Sequence, residues 1–225
     1  IIKSLRLFVR WVLGLFLGST LLAVIALRFV PVYYTPLMFI RLFQQEQLKL
    51  KHHWVPLTEM SPSLPLAAMG GEDAKFLEHH GFDFEAIKSA AERNSSHPEK
   101  NMLGASTISQ QTAKNVFLWP GRSWLRKGLE AYFTVLIELF WTKDRIMEVY
   151  LNSIEMGPGI YGAEAVAREH FGCHASELTD SQCALIAATL PNPLRFSSKS
   201  PSPYIQKRQQ RILREMKYLK KHANE

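Results

Sequence analysis

The chain has 225 residues, 47% of them hydrophobic and 21% charged, which excludes a disordered polymer and supplies material for one sizeable domain plus an appendage. Its 27 Lys+Arg against 20 Asp+Glu give a formal charge of +7, a surplus that suits an anionic partner such as nucleic acid, a membrane surface or a phosphorylated substrate. Two cysteines, Cys173 and Cys183, are too few for a disulfide scaffold, and their spacing decides neither a pair nor two free thiols.

Residues 1–10 form a short basic tail with Lys3, Arg6 and Arg10, and residues 11–30 read WVLGLFLGSTLLAVIALRFV, with Arg28 the sole charge. About twenty apolar residues of helix cross the hydrocarbon core of a bilayer. A cleaved signal peptide is the rival reading, but its apolar stretch covers only ~7–15 residues and ends in a small-residue cleavage site, which this segment lacks. A retained transmembrane helix is therefore expected. The basic cluster directs the N-terminus to the cytoplasm and everything after residue 30 to the outside. Residues 31–50 carry Leu37, Phe39, Ile40 and Phe43 after Pro36, and are expected to be membrane-proximal and amphipathic, either packed on the domain or dipping into the headgroup layer. Lys51 to Pro65 contains three prolines and is expected to be an extended connector, with His52 and His53 solvated.

From Pro65 onward the periodicity is helical. Leu125, Leu129, Tyr132, Phe133, Leu136, Ile137 and Phe140 form one apolar stripe, and Ile146, Val149 and Tyr150 a shorter one. A helix opens at Thr179-Asp180 and ends at Pro191, and a last amphipathic helix follows Pro203. No alternating strand run stands out. The polar segment Asn94 to Asn101 is expected to be a loop. Gly157, Gly159 and Gly162 match G-x-G-x-x-G, but a helical pattern rather than a strand precedes them, so a tight interhelical turn is expected in place of a dinucleotide fingerprint.

Three polar clusters have residue types that do chemistry. In the first, Glu72, Phe76 and His79 share a face if the segment is helical, beside Asp73; Met69 and Phe76 would desolvate the Glu72 carboxyl and make it a better proton acceptor. A solvated Glu-Asp pair at a helix start is the plainer alternative. In the second, Thr107 and Gln110 have capping-box spacing, and Gln110, Gln111 and Lys114 can line one side of a helix N-terminus as a phosphate cradle, or simply form a capped polar helix. In the third, Arg122, Arg126 and Glu130 lie at i, i+4, i+8 with Lys127 beside them. That is either a surface ion pair or a pyrophosphate clamp holding a second carboxylate.

Taken in order, the clusters resemble the peptidoglycan glycosyltransferases that begin class A penicillin-binding proteins. E-D-x-x-F-x-x-H-x-G is met by Glu72, Asp73, Phe76, His79 and Gly81. G-x-S-T-x-x-Q-Q-x-x-K-N is met by Gly104, Ser106, Thr107, Gln110, Gln111, Lys114 and Asn115. R-K-x-x-E is met by Arg126, Lys127 and Glu130. Lys143, Glu148, Tyr150, Leu151 and Asn152, running on to Gly157, Gly159 and Gly162, make a fourth pattern. Ala105 stands where many members carry a second glycine.

The resemblance implies a mainly α, lysozyme-like bilobal glycosyltransferase domain over residues 51–221, preceded by the single transmembrane helix, in the layout of the monofunctional members. It implies polymerisation of lipid II on a growing lipid-linked glycan, with Glu72 as general base and Glu130 assisting on the donor side. Gln110, Gln111, Lys114, Arg122, Arg126 and Lys127 would hold the departing pyrophosphate. Asp73, Phe76, His79, Ser106, Thr107, Asn115 and Asn152 would support them, with inversion at the MurNAc anomeric carbon. No dedicated metal site is implied, although a divalent cation, Mg2+ or Mn2+, often aids family members. Moenomycin-type inhibitors and cell-division or elongation proteins are the further implied partners. No serine is followed three positions on by lysine, so transpeptidation is not expected. The two rivals are a lytic transglycosylase or lysozyme, which has no leaving diphosphate to hold, and a tethered nucleic-acid binder using the basic C-terminal helix. The second conflicts with an extracytoplasmic domain, and no nucleic-acid partner is expected.

Overall fold

A computed structural model gives the fold and describes residues 2–44, 49–97, 99, 104–121 and 123–222. The N-terminal apolar run forms helix α1 (Ile2–Leu27), of which Lys3–Leu27 is long and apolar enough to cross a membrane. It starts before residue 11 and stops at Leu27 rather than at residue 30, because Pro31 restricts the backbone of Val30. Helix α2 (Pro36–Gln44) opens on proline, whose fixed φ suits a first helical turn. It buries Met38 and leaves Phe39 and Phe43 exposed, so it is partly packed on the domain and partly bare.

The expected connector contains strand β1 (Lys51–His52) and a 3-10 turn, Leu57–Glu59, before α3 (Ser63–Glu72) begins. His52 is not solvated: its Nε2 lies 3.0 Å from the Asn152 carbonyl, and burial lowers its pKa. Helix α3 stops at Glu72, so Glu72, Phe76 and His79 do not share a helix. At Asp73 the backbone turns extended, φ −161°. Helix α4 (Phe84–Ser96), capped by Asp83, runs through Asn94–Ser96, where a loop was expected; of the rest of that segment only His97 and Glu99 are described. Helix α5 (Ile108–Phe117) starts at the Thr107–Gln110 capping box, and α6 (Trp124–Phe140) and α7 (Lys143–Ser153) open on Ser123 and Thr142. The α6 stripe packs through Phe133 and Ile137, whereas Leu125 is exposed.

The glycine run is a hairpin rather than an interhelical turn. β2 (Glu155–Gly157) and β3 (Ile160–Tyr161) pair antiparallel around Pro158-Gly159, and β1 joins β3 in parallel, Lys51 opposite Ile160. Gly162 follows at φ 82°, where an added Cβ would stand 2.6 Å from the Asn152 carbonyl oxygen, so only glycine fits. Helices α8 (Ala163–Val166), α9 (Asp180–Thr189, with Thr179 as cap) and α10 (Pro203–His222) complete the chain. Both cysteines are free thiols, Cys183 buried.

The helices form two packed groups. Helices α3, α9 and α10 contact one another, and α5 packs on both α6 and α7 with α2 against its side. Helix α1 lies along α6: Thr20 and Tyr132 share a hydroxyl hydrogen bond of 2.7 Å. Its last turn is tied to the domain as well. Trp141 Nε1 donates to the Val24 carbonyl at 2.8 Å, and Arg145 Nη2 donates to the Leu27 carbonyl at 2.8 Å and to that of Val30, with its guanidinium over the Trp54 ring.

Candidate active site

Glu72 ends α3, where unpaired backbone carbonyls disfavour negative charge. Its side chain is 13% exposed. Gln111 Nε2 donates to Oε2 at 3.1 Å, and Arg208 Nη2 donates to Oε1 at 3.2 Å and to the Gly71 carbonyl at 3.0 Å. Burial raises the Glu72 pKa above the ordinary carboxylate value, outweighing the Gln111 bond and the Arg208 and Lys114 charges that pull it down. Of the two sequence readings, the desolvated carboxyl is the one found, although the shared helical face that was to supply the desolvation does not form.

Asp73 serves its neighbours. Its Oδ2 accepts from the Ile108 N–H, the first of α5, at 2.9 Å, and both its oxygens lie 3.0 Å from His79 Nε2. His79 Nδ1 accepts from the Gly81 N–H at 3.1 Å, which assigns the ring proton to Nε2. Phe76 is buried beside that ring, under the Lys143 ammonium at 4.6 Å. Thr107 Oγ1 donates to the Gly81 carbonyl, and the Ser106 carbonyl stands at 3.5 Å from Gln111 Nε2. Together these contacts hold the start of α5 against the end of α3 and set where Gln111 meets Glu72.

Gln110 and Gln111 part company. Gln110 is buried, and its Oε1 accepts from the Thr107 N–H to close the capping box, so it does not line an anion site. Gln111 bridges instead, accepting from the Tyr150 hydroxyl at 3.4 Å while donating to Glu72. Lys114 follows on the same face, and burial lowers its pKa against the raising effect of Glu130. Glu130 is no surface ion pair: it is 3% exposed, with Arg126 Nη1 at 2.8 Å and Lys127 Nζ on its other oxygen. Asn152 is fully buried and pairs with both backbone groups of Val55. Arg122 lies outside the described residues.

Two clefts lie on either side of the Glu72–Gln111 pair. One, of about 370 Å3, is lined by Gln111, Lys114, Asn115 and Arg126, with Arg41 and Glu155 opposite and Leu37, Trp119 and Leu190 among its apolar walls. The other, of about 380 Å3, is lined by Glu72, Asp73, Ser106 and Thr107. The Glu72–Gln111 hydrogen bond joins them. A buried carboxylate facing one cleft, next to a cationic second cleft, can accept a proton on one side and stabilise departing negative charge on the other.

Residues 41–217 match the family described as transglycosylase. The chain belongs to the transglycosylase family. Among its relatives is a biosynthetic peptidoglycan transglycosylase of Bacteroides thetaiotaomicron, 57% identical over 98% of this chain and 90% of that one. Proteins of the same name from Caulobacter vibrioides and Bdellovibrio bacteriovorus are 55% and 53% identical, over 92% and 94% of this chain and 90% and 85% of theirs.

Two features of this transglycosylase's site escaped sequence analysis. Arg208 was read only as one of the charges of the basic, amphipathic C-terminal helix, although Ile205 and Ile212, its neighbours at −3 and +4, are buried and place it on the packed face of α10. The Arg41–Glu155 pair joins segments too far apart for any local pattern to reveal.

Proposed function

We propose that this transglycosylase is a membrane-anchored peptidoglycan glycosyltransferase that polymerises lipid II. The observation that carries the reading is the desolvated Glu72 carboxyl linked through Gln111 to the cleft bearing Lys114 and Arg126. In this mechanism Glu72 takes the proton of the acceptor's sugar hydroxyl as that oxygen attacks the donor's anomeric carbon. The bond from that carbon to the lipid diphosphate breaks with its electron pair on the diphosphate, and single displacement inverts the carbon. Lys114, Arg126 and Lys127 receive the growing negative charge; donors fixed before the reaction make this stabilisation large. Glu130 holds Arg126 and Lys127 in place.

Residues present do not fit a resident divalent cation. Both oxygens of Glu130 are taken by Arg126 and Lys127, and those of Glu155 by Arg41 and Tyr161. No step is assigned to a metal. Helix α1 supports anchoring beside the lipid-linked substrate, and Lys3, Arg6 and Arg10 favour a cytoplasmic N-terminus with the domain outside the inner membrane. The absence of a Ser-x-x-Lys pattern supports polymerisation without cross-linking by these residues. A moenomycin-type phosphoglycolipid, which carries a phosphate on a lipid, is expected to compete for the cationic cleft.

The test is incubation of the purified full chain with labelled lipid II, followed by muramidase digestion of the product. Muramidase-sensitive polymer is expected, and Glu72→Gln should lower its formation by ~10^2–10^4 while lipid II binding persists. No polymer from the unaltered chain would overturn the reading; normal turnover by Glu72→Gln would move the base elsewhere.

A further inference from the structure

The cationic cleft is built mainly by α5 and α6, but one of its cations comes from the segment that follows the transmembrane helix. Arg41, on α2, lines the cleft together with Gln111, Lys114 and Arg126. Its side chain is 25% exposed, and Glu155 is its ion-pair partner at 3.5 Å, the outer limit of hydrogen bonding. Its Nε is buried with no partner among the described residues, and so is the Nε of Arg126 in the same cleft. Two guanidinium groups thus border one space with a donor each still lacking an acceptor, which is unusual for buried polar atoms.

Glu155 does not satisfy Arg41 fully. Its other oxygen accepts from the Tyr161 hydroxyl at 3.2 Å, and burial raises its pKa against the effect of Arg41. From the start of the hairpin Glu155 engages one donor of the planar fork, Nη2, at 3.5 Å and leaves Nε without an acceptor among the described residues. That fork can take two oxygens of a phosphate at once. Helix α2 packs on α5, the helix that carries Lys114, so Arg41 and Lys114 address the same volume from two sides.

We infer that Arg41 is a further binding residue for the diphosphate of the lipid-linked donor, supplied from the membrane side of the cleft and oriented between turnovers by Glu155. The inference rests on the glycosyltransferase reading above. It makes the first helix after the membrane span a working part of the donor site, so that a domain lacking α2 would bind the diphosphate more weakly even with every residue of α5 and α6 in place.

The experiment uses the full chain with inorganic pyrophosphate as the probe, measured as a competitor of lipid II polymerisation and by direct calorimetric titration. Arg41→Gln should weaken pyrophosphate binding and raise the KM for lipid II by about 10-fold or more, the range of a lost charge-assisted hydrogen bond, with a smaller change in kcat. Arg41→Lys should recover part of the affinity, and Arg93→Gln, on the exposed face of α4, should leave it unchanged. Melting temperatures of all variants identify any that fail to fold. Equal losses of melting temperature in Arg41→Gln and Glu155→Gln, with pyrophosphate affinity and KM within twofold of the unaltered chain, would reduce the pair to a structural ion pair and overturn the inference. Failure of the unaltered chain to polymerise lipid II overturns the underlying reading instead.

Discussion

Arg208→Gln provides the sharpest test of how Glu72 is tuned. In the proposed mechanism Glu72 must be ionised to accept a proton, so activity should fall as pH drops through its pKa in the folded protein. Burial raises that pKa, and the Arg208 charge at 3.2 Å restrains the rise. A hydrogen bond to a charged group is worth ~1.5–3 kcal/mol, and one pKa unit corresponds to about 1.36 kcal/mol. Removing the charge should therefore move the acid limb of kcat/KM about one to two pH units upward. Glutamine retains a donor for the Gly71 carbonyl, which limits damage to the end of α3. The assay is initial-rate polymerisation of lipid II across pH for both proteins. Recovery toward the unaltered rate on the alkaline side is expected. An unmoved acid limb, or a loss uniform with pH, would show that Arg208 acts on substrate rather than on the carboxyl, and the tuning argument would fail.

Gln110→Ala should cost ~1 kcal/mol of stability through the lost cap with kcat little changed, whereas Gln111→Ala should lower kcat with little effect on melting, a contrast visible by pairing calorimetry with rate assays. Gly162→Ala should destabilise the fold by at least ~2 kcal/mol and lower the melting temperature by ~4–8 °C, since its positive φ and the Asn152 carbonyl both oppose a Cβ; an unchanged melting curve would contradict the geometry. Glu130→Gln should reduce kcat by ~10^2 or more as Arg126 and Lys127 lose their shared counter-charge; near-normal rates would leave Glu130 a purely structural partner.

What could be read from the residues was what depends on near neighbours. The caps at Thr107 and Thr179 join residues three apart, so the starts of α5 and α9 were legible. The end of α3 was not. Asp73 leaves the helix to meet Ile108, 35 residues further on, and helical periodicity carries no trace of that bond. The same distance effect hid the roles of two adjacent glutamines: spacing allowed both to line a cleft, and only the closed capping box shows that Gln110 turns inward. The strands escaped because each spans only two or three residues, too short for alternation to register. Arg208 was detectable in principle, since an arginine between buried isoleucines on one helix face calls for a buried acid. The partner could be named only from the folded chain.

The bonds from Trp141 and Arg145 to the carbonyls of Val24 and Leu27 in α1, and of Val30 just after it, have a mechanical consequence. With α1 in a bilayer, they make the connection a rigid mount instead of a slack leash. The domain then cannot swivel freely about its stalk, so its two clefts keep a constant bearing relative to the lipid plane. Under the proposed polymerase reading, a pull from a lengthening product would pass as torque into the membrane helix rather than dissipate in a loose joint.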